Sequence, residues 1–207
     1  METKLATDIF DVWAINGKDK GMEKGHSKSV DRMIQIAIEK IPINQDRISI
    51  ADIGCGNGWM LRKILSISSK FRGLGIDGAK NMIENAKKID PEGNYLHADL
   101  ESWNSTEKFD LVISMEVIYY LRNPQIFLSS VFNNCLNKNS NFVIGIDHYK
   151  ENKRSLSWPG DLNVYMHTLS ISDWVNLFET IGFNNICYEQ FDSRDDWAGT
   201  LIISGSK

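Results

Sequence analysis

The chain has 207 residues, enough to bury one substantial core, and its 42% hydrophobic and 24% charged residues are an ordinary globular composition that excludes extended disorder. A net charge of −4 gives no electrostatic footprint for a phosphate backbone, which disfavours nucleic acid as a partner. No run approaches the ~20 apolar residues that cross a bilayer, and Met1–Asp8 lacks a basic stretch followed by an apolar one, so the expectation is a cytoplasmic protein without a membrane contact.

In chain order, Val30, Met33, Ile34, Ala37, Ile38 and Ile41 recur at helical spacing before Pro42 forbids continuation, which predicts an amphipathic cover helix ahead of a sheet. Short apolar runs then alternate with helical patterns. Ile48–Ile53 leads into a helix to about Ser69, Gly73–Asp77 into a helix to about Ile89, and Tyr95–Ala98 follows. Phe109–Ser114 leads into a helix to about Leu136, which Asn123 caps and Pro124 opens, and Phe142–Asp147 comes next. Such alternation predicts βαβ crossovers and an α/β fold whose mostly parallel sheet is covered on both faces.

Residues 150–170 form the least regular stretch, polar but carrying Trp158, Tyr165, Met166 and His167, and long loops in compact domains often serve function. Ser170 and Asp173 form a capping box for a helix carrying Ile171, Trp174, Phe178 and Ile181, with Gly182 as its terminator. Asn185–Gln190 and Ala198–Ser204, joined by the polar Asp192–Asp196 turn, read as an antiparallel closing pair. Cys55, Cys135 and Cys187 are odd in number and never in a C-x-x-C pair, so reduced thiols are expected rather than disulfides or a zinc cage. The four histidines have no metal-ligand spacing, and no metal is expected.

The strongest local signal is Ile50-Ala-Asp-Ile-Gly-Cys-Gly-Asn-Gly58, set between a predicted strand and a predicted helix. Glycines at 54, 56 and 58 permit positive φ and let a ligand touch the backbone at the carboxyl end of the first strand. A dinucleotide fingerprint starting at Gly54 would need glycine or alanine where Trp59 stands, which counts against NAD or FAD. Asp52 would repel a pyrophosphate but suits a ligand end bearing an amine and a sulfonium.

These residues resemble the first motif of the class I S-adenosylmethionine (SAM)-dependent methyltransferases, and the likeness runs from about Val30 onward. The resemblance implies that Asp52, Gly54, Cys55, Gly56, Asn57 and Gly58 line the cofactor. Gly75-Ile-Asp77 matches the place where the family sets an acid on the ribose hydroxyls, with Gly78 and Met82 following it. Ala98-Asp99-Leu100 matches the third-strand motif, in which Asp99 would meet the adenine amine and Leu100 pack by the ring. Phe109–Val117 resembles the fourth motif, whose tail Met115, Glu116 and Val117 would lie along the cofactor. The implied fold is a Rossmann-like, doubly wound, mostly parallel seven-stranded sheet with an antiparallel closing strand, in one domain over residues 1–207.

Methyl transfer is an in-line displacement in which the sulfonium is already activated, so holding the acceptor at attack distance achieves much of the catalysis. A base matters for a hydroxyl or a protonated amine and not for a carboxylate. His148, with Tyr149 beside it at the predicted end of the fifth strand, is the first base candidate; the alternative is a solvent-facing loop histidine. His26 is the second. It belongs to residues 1–27, where Trp13, Met22 and His26 stand among Gly17, Gly21 and Gly25, a composition suited equally to a movable lid or a plain surface arm. Trp13, Met22, Tyr119, Tyr120, Trp158, Tyr165 and His167 are the candidate acceptor contacts, and His97 reads as structural.

Ser114-Met-Glu-Val117 stands where similar enzymes acting on amino groups of DNA and of some proteins carry an Asn/Asp-Pro-Pro-Tyr tetrad. The sequence is thus more similar to the small-molecule methyltransferases of the ubiquinone, biotin-precursor and trans-aconitate kind, which implies a small-molecule acceptor. The competing readings are a non-catalytic SAM-binding regulator or partner subunit, a tRNA or protein methyltransferase and, against Trp59, a nicotinamide oxidoreductase.

Overall fold

Aliphatic and β-branched runs bounded by turn residues build a seven-stranded sheet in the computed structural model, which describes residues 3–41 and 45–207. Strands β1 (Ile48–Ile53), β2 (Phe71–Asp77), β3 (Tyr95–His97), β4 (Phe109–Met115) and β5 (Leu136–Ile146) pair in parallel. β7 (Thr200–Ser206) is antiparallel to β5 on one side and to β6 (Asn184–Phe191) on the other. The order β3-β2-β1-β4-β5-β7-β6 is the Rossmann-like arrangement, with β7 its single reversed strand. The strand order reverses between β1 and β4, and open α/β sheets bind ligands outside the carboxyl ends at that point.

Alternate strand residues serve opposite faces. Ile50, Leu111, Ile113 and Val143 pack with Val30 and Met33 of α2 (Lys20–Glu39) and Leu61 and Ile64 of α3 (Trp59–Leu65). Ile83 of α4 (Lys80–Ile89) joins that layer. Ala51, Val112, Phe142 and Ile144 pack on the other face with Phe127 and Leu128 of α5 (Pro124–Ser130) and with Trp174 and Phe178 of α7 (Ile171–Ile181). The capping box of α7 is formed: Ser170 Oγ accepts from the Asp173 amide, Asp173 returns the bond to Ser170, and Gly182 ends the helix at φ +104. Among the described residues no helix is long and apolar enough to cross a membrane.

The structure departs from the sequence expectations in three places. Within the expected amino-terminal arm, to which the sequence assigned no element, Ala6–Ile15 forms α1, and α2 begins at Lys20 rather than near Val30. Ile9, Phe10, Trp13 and Ala14 share one stripe at helical spacing, and tertiary packing overrides the helix-breaking tendency of Gly21 and Gly25. The helix after β4 ends in a π-helical turn, Val131–Cys135, and β5 starts at Leu136, six residues early, because Asn139 takes φ +64 and lets a polar stretch stay in the strand. The 150–170 stretch is partly ordered by a 3-10 turn at Lys153–Ser155 and a short helix, α6 (Trp158–Leu162). Pro42, the expected stop of the cover helix, lies outside the described residues.

Candidate active site

β1 runs into the turn Gly54–Gly58, whose three glycines all have positive φ. A Cβ on Gly54 would stand 2.0 Å from Val117 Cγ2, so the turn after β1 and the turn after β4 are pressed together and only glycine fits. Gly56 differs: a Cβ there would meet only Met82 Sδ at 3.9 Å and Met22 Cε at 4.0 Å, so its φ of +54, and not crowding, is what calls for glycine. Cys55 is buried beneath this turn, its thiol pushed well up first by burial and then by Asp52.

Asp52, at the end of β1, is fully buried, and neither of its carboxylate oxygens has a hydrogen-bond partner. Burial, reinforced by Asp77, pushes its carboxyl well above the usual range. Such a group is costly until a cation or a proton answers it. Asp77 at the end of β2 accepts from the Gly56 and Ala79 amides at 2.8 and 2.7 Å, and burial raises its carboxyl too. Asp99 is exposed beyond β3 and accepts from the Glu101 amide and the Ser102 hydroxyl, while Leu100 beside it is buried. Met115 is buried against Gly145. Glu116 takes φ +60, which turns its carboxylate inward to accept from the Tyr119 hydroxyl at 2.7 Å and from the Asp147 amide.

α1 lies over the mouth of this crevice. Thr7 Cγ2 meets the backbone at Gly78, Phe10 stands edge-on to Tyr120 at 5.5 Å and to Trp13 at 5.3 Å, and Trp13 and Met22 pack with Ala79 and Met82. Polar ties hold it there. Asp11 accepts from the Asn81 amide at 2.6 Å, and buried Asp19 accepts from Asn57 of the glycine turn at 3.1 Å and from Asn85 of α4 at 3.2 Å.

On the β5–β7 side a cavity of about 600 Å3 opens beside the crevice, lined by His26, Asp147, Arg154, Trp158, Arg194 and Trp197 among others. Asp147, buried at the end of β5, has one oxygen 3.5 Å from His26 Nδ1 and the other without a partner. Burial raises its carboxyl, and the Thr200 hydroxyl and His26 pull it back.

A sequence profile of the methyltransferase domain matches residues 26–188 of this chain. The chain belongs to that family. It is a class I SAM-dependent methyltransferase, and the cofactor of the class is S-adenosylmethionine. The ubiquinone biosynthesis O-methyltransferase of Rickettsia typhi is 35% identical over 102 residues, 46% of this chain and 41% of that one. The enzyme of the same description from Rickettsia prowazekii is 35% identical over 133 residues, covering 60% and 52%. This methyltransferase chain thus spans only about half of those relatives. The complex between the Haloferax volcanii Trm112 methyltransferase activator and the putative methyltransferase has a chain superposing with TM-score 0.80 at 25% identity, over 95% of this chain and 96% of that one. The plantazolicin methyltransferase BpumL in complex with SAH shares the fold, with TM-score 0.71 at 18% identity over 93% and 88%.

Within this methyltransferase fold, Asp52, the 54–58 turn, Asp77, Gly78, Met82, Asp99, Leu100 and Met115–Val117 all stand at the carboxyl ends of β1 to β4. Two catalytic expectations need correction. His148 neither faces the crevice nor meets solvent: it is fully buried, Nδ1 bonded to the Ser155 carbonyl at 2.9 Å and Nε2 to the Thr168 hydroxyl at 2.8 Å, which leaves no nitrogen for a substrate. Burial lowers its pKa. Tyr149 is equally buried, its hydroxyl donating to backbone carbonyls at Ala198 and Gly199 while accepting from Gln190. Tyr149 fastens the end of β5 to the chain entering β7, and His148 fastens it to the 150–170 segment.

Tyr165 and His167 do not line the cavity. The His167 amide donates to the Tyr119 carbonyl at 2.7 Å and its ring reaches the Arg122 carbonyl, so this part of the loop is fastened to the turn after β4. Tyr119 is buried and Tyr120 half-buried against it, rings 4.4 Å apart. Sequence reasoning missed Asp147, Asp19, Trp197, Arg154 and Arg194. Asp147 had a signal, an acid at the end of a core strand beside the one bearing Glu116; the loop residues had none.

Proposed function

We propose that this chain transfers a methyl group from SAM to a small-molecule acceptor by in-line displacement. The observation that carries the reading is Asp52: a fully buried carboxylate with both oxygens unpartnered, under a turn of three positive-φ glycines, at the switch point of the sheet. A ligand bearing an ammonium and a sulfonium fits that charge, and a pyrophosphate does not. When bound, SAM supplies an activated methyl group. Asp52 and the Gly54–Gly58 turn would hold its amino-acid end, and Asp77, which keeps spare lone pairs, would accept from the ribose hydroxyls. Asp99 and Leu100 would meet the adenine, and Glu116 would fix the wall between cofactor and acceptor through Tyr119 and the Asp147 amide.

The acceptor would enter the cavity beside Asp147, where His26 can take a proton and Trp158 and Trp197 offer flat surfaces. Net charge −4 argues for a small molecule over a nucleic acid. The three free cysteines suit the cytoplasm. The test is transfer of labelled methyl from SAM to a panel of small amines, phenols and carboxylates, with tRNA and protein as comparators; label entering only tRNA or protein would overturn the assignment. The likeness to a chain of the haloarchaeal activator complex favours a second reading, in which a small activator protein completes the enzyme. Turnover that rises when a Trm112-type protein is added supports it.

A further inference from the structure

We propose that the cavity beside His26 and Asp147 selects an acceptor by a protonated amine carried on a flat apolar group. The proposal rests on the methyltransferase reading and narrows it. Asp147 is only 4% exposed and lines the cavity; its Oδ2 stands 3.5 Å from His26 Nδ1 but its Oδ1 meets no donor, so the carboxylate at the cavity floor is answered on one side only. The guanidinium groups on the rim could have answered an acid on the substrate, but they are engaged: Arg154 lies 3.4 Å from Asp196 and Arg194 lies 3.0 Å from Asp192. Asp195, also on the rim, has no ion-pair partner among the described residues, so the charge left over in the cavity is negative. A carboxylate acceptor would be repelled there and an ammonium attracted.

Trp158 and Trp197 line the same cavity with ring centroids 6.3 Å apart and 30° between planes. Indole faces attract cations and stack on flat groups. The chemistry balances with the parts present. The ammonium passes one proton to His26; the nitrogen lone pair then forms the N–C bond as the C–S bond of the sulfonium breaks, and sulfur keeps that electron pair.

The test uses three ligands of one shape, benzylamine, benzyl alcohol and benzoate, titrated calorimetrically into the protein with saturating S-adenosylhomocysteine (SAH). Benzylamine should bind at least tenfold tighter than either of the others. Asp147→Asn should erase that preference while SAH affinity stays at the wild-type value, and Trp197→Ala should weaken benzylamine with the fold unchanged by circular dichroism. Benzoate binding as well as benzylamine, no benzylamine binding, or a preference that survives D147N would overturn the proposal. Failure of SAH itself to bind the wild type would instead strike the methyltransferase reading on which the amine rests.

Discussion

At the scale of single residues, four carboxylates gather at the carboxyl ends of the strands, Asp52 and Asp147 buried and Asp77 and Glu116 half-buried. Asp52, Asp77, Glu116 and Asp147 all have carboxyls raised chiefly by burial. Because the folded values lie above those of the unfolded chain, the ligand-free protein binds more protons than its unfolded form in that window. Its stability therefore falls as pH rises from the ordinary carboxylate range, ~4, through the raised values. A cation delivered to Asp52 reverses the preference, so SAH should bind more tightly as pH climbs through the folded value of Asp52, with proton release visible in buffers of different ionisation enthalpy. Asp52→Asn should remove that proton release and weaken SAH by about 1.5–3 kcal/mol, roughly ten- to a hundredfold in Kd. The same variant should melt higher than wild type without ligand, since an unanswered buried charge is gone. A lower melting point with unaltered SAH affinity would place the cation elsewhere. The acids at 52, 77 and 99 were legible in the sequence because the glycine turn marked the first and the order of the family-like motifs placed the other two at the ends of successive strands. His148 was misread because nothing in sequence says that the Ser155 carbonyl and Thr168 hydroxyl fold back onto its ring.

At the scale of elements, the sheet and its covering helices were readable and the amino-terminal helices were not. Strands such as Ile48–Ile53 and Phe109–Met115 are continuous apolar runs, which buried parallel strands require. α1 was hidden because its apolar stripe of Ile9, Phe10, Trp13 and Ala14 is short and its sequel is glycine-spaced, and only packing on Ala79 and Met82 makes the helix stable. α1 is tied to α4 through Asp11 and the Asn81 amide, and Asp19 at the start of α2 is joined to Asn57 of the glycine turn, so we propose α1 as a cover over the crevice. Removing residues 1–16, which leaves α2 whole, should raise the SAH off-rate about tenfold or more in stopped-flow measurements. Unchanged kinetics would make α1 a surface ornament.

At the scale of the whole molecule, the two candidate ligand regions sit side by side because of strand order. The crevice proposed for the cofactor spans the carboxyl ends of β1, β2 and β4, and the acid-floored cavity opens over β5 and β7, with Glu116 and Asp147 joined across neighbouring strands. Alternation of strand and helix made the crevice side predictable. The cavity side depends on how the 150–170 segment and the 192–197 turn meet in space, at Arg154 with Asp196 and at Trp158 with Trp197, and pairings between distant loops leave no periodic trace in sequence.

Whether this chain holds SAM at the glycine turn is decided by calorimetric titration of the 207-residue chain with SAH, with NADH as the comparator. Saturable, one-to-one SAH binding and no NADH binding are expected, in keeping with Asp52 beneath the glycine turn and Trp59 where a dinucleotide site needs a small residue. NADH binding without SAH binding would contradict the SAM reading.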